Sequence, residues 1–114
     1  MKDSIPDSEL EIMKLLWENN APMTAPEIVK NIQLTHAWKE TTIQTLLTRL
    51  LKKGAVRQDG SKRSYQYFPL ISQSEYQVIA CNHLIKQAFG GNIDNLMNFL
   101  LNSNLLVDDN RKKT

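Results

Sequence analysis

The run K-E-T-T-I-Q-T-L-L-T-R-L-L-K-K-G, Lys39 to Gly54, places Ile43, Leu46, Leu47, Leu50 and Leu51 at i, i+3, i+4, i+7 and i+8. That spacing is the stripe of an amphipathic helix with one buried face. At about 100° per residue the opposite face carries Thr41, Thr45, Thr48, Arg49 and Lys52, and no carboxylate. A solvated helix face usually mixes both signs of charge. Short hydroxyls with a methyl can approach base edges and the thymine methyl, while Arg and Lys reach guanine or phosphate. Taken alone, the run also fits a solvated helix whose Lys52-Lys53-Gly54 ending is a C-cap with cations on the dipole.

Beyond Gly54 the period changes. Ala55-Val56-Arg57-Gln58 and Tyr65-Gln66-Tyr67-Phe68 are two short strand-like runs around Asp59-Gly60-Ser61-Lys62-Arg63-Ser64. The Asp-Gly step predicts a hairpin turn, and Pro69 the end of the second strand. On the other side, Asp7–Asn19 predicts a helix with Leu10, Met13 and Trp17 inward, acids outward and Asp7 as its N-cap. Ala21-Pro22 interrupts the pattern. Thr24-Ala25-Pro26-Glu27 is then a capping box with Pro in the first turn, and the short helix it opens buries Ile28, Val29 and Ile32. Leu34 to Trp38 leads into the Lys39–Gly54 helix. Trp38 is expected to fill the core where the two helices meet, and His36 to be a solvated loop residue.

Three helices followed by a two-stranded hairpin is the order of a winged helix-turn-helix. In that fold the third helix enters the major groove and the wing touches backbone or minor groove. The charge agrees. Residues 1–35 hold three lysines against six acids, a net of −3, whereas residues 36–68 hold seven Lys and Arg against two acids, a net of +5. Residues 69–114 balance at four of each sign, so the positive charge sits on one supersecondary unit, the footprint of a polyanion-binding surface. Lys39, Thr41, Thr42, Thr45, Arg49, Lys52, Lys62, Arg63 and Tyr65 are the candidate DNA-binding residues. Of these, Thr41, Thr42, Thr45 and Arg49 face bases, and the others face phosphates.

Ser72-Gln73-Ser74-Glu75 is another capping box, opening a helix to about Phe89 with Tyr76, Ile79, Ala80, Leu84 and Ala88 on one stripe. Gly90-Gly91 stops it. Asn92 can cap a further helix carrying Ile93, Leu96, Met97, Leu100 and Leu101. The predicted architecture is mainly α with a small β wing: a winged-helix DNA-binding domain over 1–70 and C-terminal dimerisation helices over 71–114. The dimer is expected to pack through Tyr76, Ile79, Leu84, Ile93, Leu96, Met97, Leu100 and Leu101, with a polar, frayed tail over Asp108–Thr114. A pair of helices folded back on its own winged helix is the alternative.

The 114 residues, 41% apolar and 23% charged, describe one ordinary globular domain with at most a short appendage. The first residues carry acids and no apolar run, so no secretory signal is expected. No segment approaches the roughly 20 apolar residues of a membrane span, and no membrane insertion is expected. The single cysteine, Cys81, suits a reducing cytoplasm and a buried small-hydrophobe role.

With these residues in view, the chain resembles the penicillinase repressor family, with members of the BlaI, MecI and copper-responsive CopY kinds. The resemblance rests on Glu9-Leu10-Glu11-Ile12-Met13-Lys14 with Trp17, and on Thr42-Ile43-Gln44-Thr45-Leu46-Leu47 with Arg49-Leu50. Lys53-Gly54-Ala55, Tyr65-x-Tyr67 before Pro69, and Ser74-x-Tyr76 continue it, over about Ile5 to Leu101. It implies a homodimer held by the C-terminal helices on double-stranded DNA, at a palindromic operator with TACA/TGTA-like cores. It also implies induction by a membrane sensor with a zinc metalloprotease domain, ending in cleavage at an Asn-Phe bond, for which Asn98-Phe99 is the match. The Cys-x-Cys clusters of the copper branch are absent, so neither Cu(I) nor any other metal or cofactor is expected. Most of the last helix of the best-known β-lactam repressors is expected to be missing.

Together these features describe a dimeric DNA-binding repressor. No paired-carboxylate, Cys/His or Gly-rich phosphate constellation points to an enzyme. Two other classes stay open. A protein-interaction winged helix would show no salt-dependent DNA affinity. A small-molecule-responsive regulator would need an apolar pocket with convergent polar groups.

Overall fold

The computed structural model describes residues 5–61 and 63–103. Lys62 and the polar tail Asp108–Thr114 therefore lie outside the described residues. The elements are α1 (Asp7–Asn19), β1 (Met23–Thr24), α2 (Ala25–Gln33), α3 (Glu40–Lys53), β2 (Val56–Asp59), β3 (Gln66–Pro69), α4 (Gln73–Ala88) and α5 (Ile93–Asn102). The sheet is antiparallel in the order β1-β3-β2. It is a winged helix-turn-helix, mainly α with a small β wing, as the order of elements predicts. The third strand has no counterpart in the sequence pattern. Met23 and Thr24 pair with Tyr67 and Gln66, and two residues are too few to show a period.

The start of α1 differs from the expectation. Pro6, extended at ψ 155°, is the N-cap, and its carbonyl accepts the Leu10 amide at 2.9 Å. Asp7 falls inside the first turn, where its carboxylate still faces the positive end of the dipole. The buried face also differs. Glu9, Ile12, Met13 and Leu16 turn inward, while Leu10 and Trp17 are half-buried. Glu9 tolerates burial at 2% exposure because the Lys53 ammonium lies 2.5 Å from its carboxylate. Trp17 is held at the margin because its Nε1 donates to the Ile71 carbonyl at 2.9 Å. An indole buried without such a partner would lose a hydrogen bond.

Thr24 and Glu27 form the predicted capping box of α2. Thr24 N–H donates to the Glu27 carboxylate at 2.8 Å, and Glu27 N–H to the Thr24 hydroxyl at 3.3 Å. These bonds hold the Glu27 carboxyl below the usual carboxylate range. Ile28, Val29 and Ile32 are buried as expected. Trp38 does not fill the core. It is half-buried, with its ring 4.4 Å from the His36 imidazole. The core there is already closed by Ile32, Ile43 and Leu47. Nor is His36 simply solvated, since its Nε2 lies 3.6 Å from the Glu11 carboxylate.

Contacts divide the chain into one compact unit up to Gln77 and a second from Val78. The break falls inside α4 because Trp17 holds the Ile71 carbonyl and stacks on Tyr76 at 5.8 Å. In the second unit Gly90 and Gly91, both at positive φ, end α4, and the Asn92 side chain caps α5 through the Asp94 amide at 2.8 Å. Phe99 meets Phe89 at 5.5 Å. The buried residue of α4 is Ile85 rather than Leu84 or Ala88. Cys81, a turn earlier, is exposed and not the buried hydrophobe expected of it.

The Glu9–Lys53 pair gives an asymmetric prediction. Lys53→Met leaves a carboxylate buried without its cation and is expected to cost about 3 kcal/mol. Glu9→Gln should cost less, because the Lys53 side chain is 25% exposed and can reach water. Urea denaturation of the two variants measures the difference.

Candidate nucleic-acid interface

Lys39 is the N-cap of α3, extended at ψ 154°, and Gly54 ends the helix in the left-handed conformation at φ 76°. The Gly54 and Ala55 amides close the last turn on the Leu51 and Leu50 carbonyls at 3.1 and 3.0 Å. Ile43, Leu46, Leu47 and Leu50 are buried. Thr41, Thr42, Thr45, Thr48, Arg49 and Lys52 are all exposed, so the predicted outer face is present with no carboxylate among them. Glu40 lies to one side, accepting from Gln44 Nε2 at 3.2 Å.

The threonines are not equivalent. Thr45 Oγ1 donates to the Thr41 carbonyl at 2.9 Å, and Thr48 Oγ1 to the Gln44 carbonyl at 3.0 Å. The hydroxyls of Thr41 and Thr42 make no hydrogen bond among the described residues.

In the hairpin, Gly60 takes φ 101°, and a Cβ there would stand 2.9 Å from the Ser64 carbonyl oxygen. The turn therefore requires glycine. It delivers Arg63, exposed, and Tyr65, half-buried, to the rim of a cleft of about 490 Å³. Thr24, Ala25 and Pro26 at the start of α2 form its other wall, with Tyr67 also lining it. Burial, and then the neighbouring Tyr65, push the Tyr67 phenol above its ordinary pKa. Arg57 has a different environment. Its guanidinium is 3.2 Å from Asp59 and 4.8 Å above the Phe68 ring. Among the described residues Lys39, Arg49, Lys52 and Arg63 make no ion pair, whereas Lys53 and Arg57 are held.

Sequence reasoning missed the burial of Glu9, although the signal was present: Glu9, Ile12, Met13 and Leu16 stand at i, i+3, i+4 and i+7. An acid on an apolar stripe calls for a cation opposite it.

The model of the penicillinase repressor family matches residues 5–113. The chain belongs to the penicillinase repressor family. It is 34% identical over 102 residues to the penicillinase repressor of Bacillus licheniformis, covering 89% of this chain and 79% of that protein. Methicillin resistance regulatory protein MecI of Staphylococcus aureus is 29% identical over 106 residues, with 92% and 85% covered. The solution structure of the DNA-binding domain of the repressor BlaI superposes with TM-score 0.58 at 38% identity, over 67% of this chain and 94% of that one. Monomeric BlaI of Bacillus licheniformis in complex with the blaP half-operator matches with TM-score 0.57, 38% identity, and 67% and 92% coverage. This penicillinase repressor relative is thus a transcriptional repressor and not an enzyme.

The remaining candidate residues of this repressor lie on α4 and α5. Leu84, Ile93, Met97, Leu100 and Leu101 are exposed, Leu101 at 74%. Ile79 is half-buried, Leu96 is buried within the chain, and Tyr76 lies on Trp17. Val78 and Phe99 add to the exposed apolar surface. Asn98 is exposed in the middle of α5 and Phe99 is 44% exposed.

The arginines give a contrast in salt dependence. If Arg63 meets a phosphate, Arg63→Ala should flatten the log–log salt slope of DNA binding by about one unit. Arg57→Ala, at a cation already held by Asp59 and Phe68, should leave the slope unchanged. Fluorescence anisotropy titrations over a range of salt concentrations measure both.

Proposed function

We propose that this chain is a cytoplasmic, homodimeric repressor whose α3 lies in the major groove of a palindromic operator and blocks a promoter. One observation carries the reading: the outer face of α3 presents threonines and cations that make no ion pair among the described residues, with no carboxylate on that face. Thr41, Thr42, Thr45 and Arg49 read bases, while Lys39, Lys52, Arg63, Tyr65 and Lys62 hold phosphates. The operator is of the TACA/TGTA kind that the family resemblance implies, and the regulated function is β-lactam resistance. Among the described residues no helix is long and apolar enough to cross a membrane.

Dimerisation is the second element of the proposal. Leu84, Ile93, Met97, Leu100 and Leu101 give the second unit an exposed apolar face, and a second copy of the chain would cover it. Met97→Asp with Leu101→Asp places charge on that face and spares Leu96, which the chain buries by itself. The double variant is expected to sediment as a monomer and to lose most of its operator affinity, because one winged helix engages one half-site. Its affinity for a single half-site should be unchanged. A full-length wild type that sediments as a monomer while binding its operator tightly rejects this architecture.

Release is proposed to occur through cleavage between Asn98 and Phe99 by a membrane sensor metalloprotease. The bond lies inside α5, and the Asn98 carbonyl accepts from Asn102 Nδ2 at 2.9 Å. Cleavage therefore requires local opening of the helix. Sequencing the fragment released in induced cells should give an N-terminus at Phe99. Intact repressor throughout induction would point to direct binding of the inducer instead.

A further inference from the structure

The hydrogen bonds inside α3 fix the polarity of two of its side chains. A carbonyl oxygen accepts only, so in the Thr45–Thr41 and Thr48–Gln44 contacts the threonine hydroxyl is the donor. Each of these hydroxyls has one hydrogen, and it is committed to the backbone. Lone pairs and the γ-methyl are what Thr45 and Thr48 turn outward. Arg49 and Lys52, exposed on the same face, carry groups that only donate.

The major-groove edges of the bases divide along the same line. Adenine N6 and cytosine N4 carry amine donors, and thymine offers a methyl beside its O4 acceptor. Guanine offers the acceptors N7 and O6 only. We propose that Thr45 and Thr48 are acceptor-only readers that exclude guanine from the bases they touch, selecting adenine or cytosine through Oγ1 or thymine through the methyl. Guanine falls to Arg49, whose forked donors fit O6 and N7. The face of α3 is thus sorted by hydrogen-bond polarity into positions that refuse guanine and a position that requires it. Thr41 and Thr42, with hydroxyls uncommitted among the described residues, can turn either way and discriminate less.

This inference rests on α3 being the base-reading helix, and the test separates the two. Full-length wild type, Thr45→Val and Thr45→Ser are each used to select from a library of random duplexes. Valine keeps the branched shape and removes the acceptor, whereas serine keeps the hydroxyl and removes the methyl. Wild type should enrich a motif. At the position whose preference moves in Thr45→Val, wild type should disfavour guanine by roughly fivefold, the worth of one hydrogen bond, and valine should relax this. Serine should retain the exclusion of guanine and weaken any preference for thymine. Affinity for random duplex and its salt slope should be the same in all three proteins, which a loss of folding would not allow. A Thr45→Val motif identical to wild type overturns the proposal alone, as does wild-type enrichment of guanine at that position, which would mean the hydroxyl donates to the base. Wild type that enriches no motif overturns the reading of α3 as well.

Discussion

The buried contact between the Glu9 carboxylate and the Lys53 ammonium joins the first turn of α1 to the last turn of α3. Burying a carboxylate at 2% exposure is costly without a cation opposite it, so the approach of these helices is fixed at that point. The chain beyond Lys53 inherits the constraint. Gly54 turns the backbone, and the Ala55 carbonyl accepts the Leu70 amide at 2.9 Å, closing the base of the hairpin. The direction of the wing is therefore set at the end of α3. The outer face of that helix and the wing arm descend from one anchored corner.

Charge alone gives an incomplete account of the surface. Seven cations fall between residues 36 and 68, and the fold sorts them. Lys53 is drawn inward by Glu9, and Arg57 is held between Asp59 and the Phe68 ring. Lys39, Arg49, Lys52 and Arg63 make no ion pair among the described residues. These four mark both ends of α3, its middle and the wing tip, so the net charge of the segment overstates the cation available to a polyanion and says nothing of its placement.

The fold was legible where local rules act over short range. The Thr24–Glu27 and Ser72–Glu75 boxes, the Asn92 cap and the Gly54 stop are all decided within a few residues. The stripe of α3 was legible because Ile43, Leu46, Leu47 and Leu50 repeat over about two turns. Long-range contacts were harder to read. β1 exists because Tyr67 and Gln66 offer an edge to Met23 and Thr24. Trp17 belongs at the margin because its indole finds a carbonyl 54 residues away. Trp38 has the size of a core residue, but it rests on His36 instead. At the candidate interface, the exposure of the threonines was readable from the period. The donor commitment of Thr45 and Thr48 was not, since it depends on rotamer.

The apolar face of the second unit has a consequence for how the repressor would respond to its own abundance. Where two copies must associate before both half-sites are held, and the protein is scarce relative to the dimer dissociation constant, the concentration of dimer varies as the square of the total. Halving the amount of repressor then removes about three quarters of the competent species. Met97, Leu100 and Leu101 all stand on the ten-residue α5, so the patch this helix offers to a second copy is small. A modest change in synthesis or turnover would be converted into a steep change in promoter activity, with no need for an effector that alters the winged helix itself.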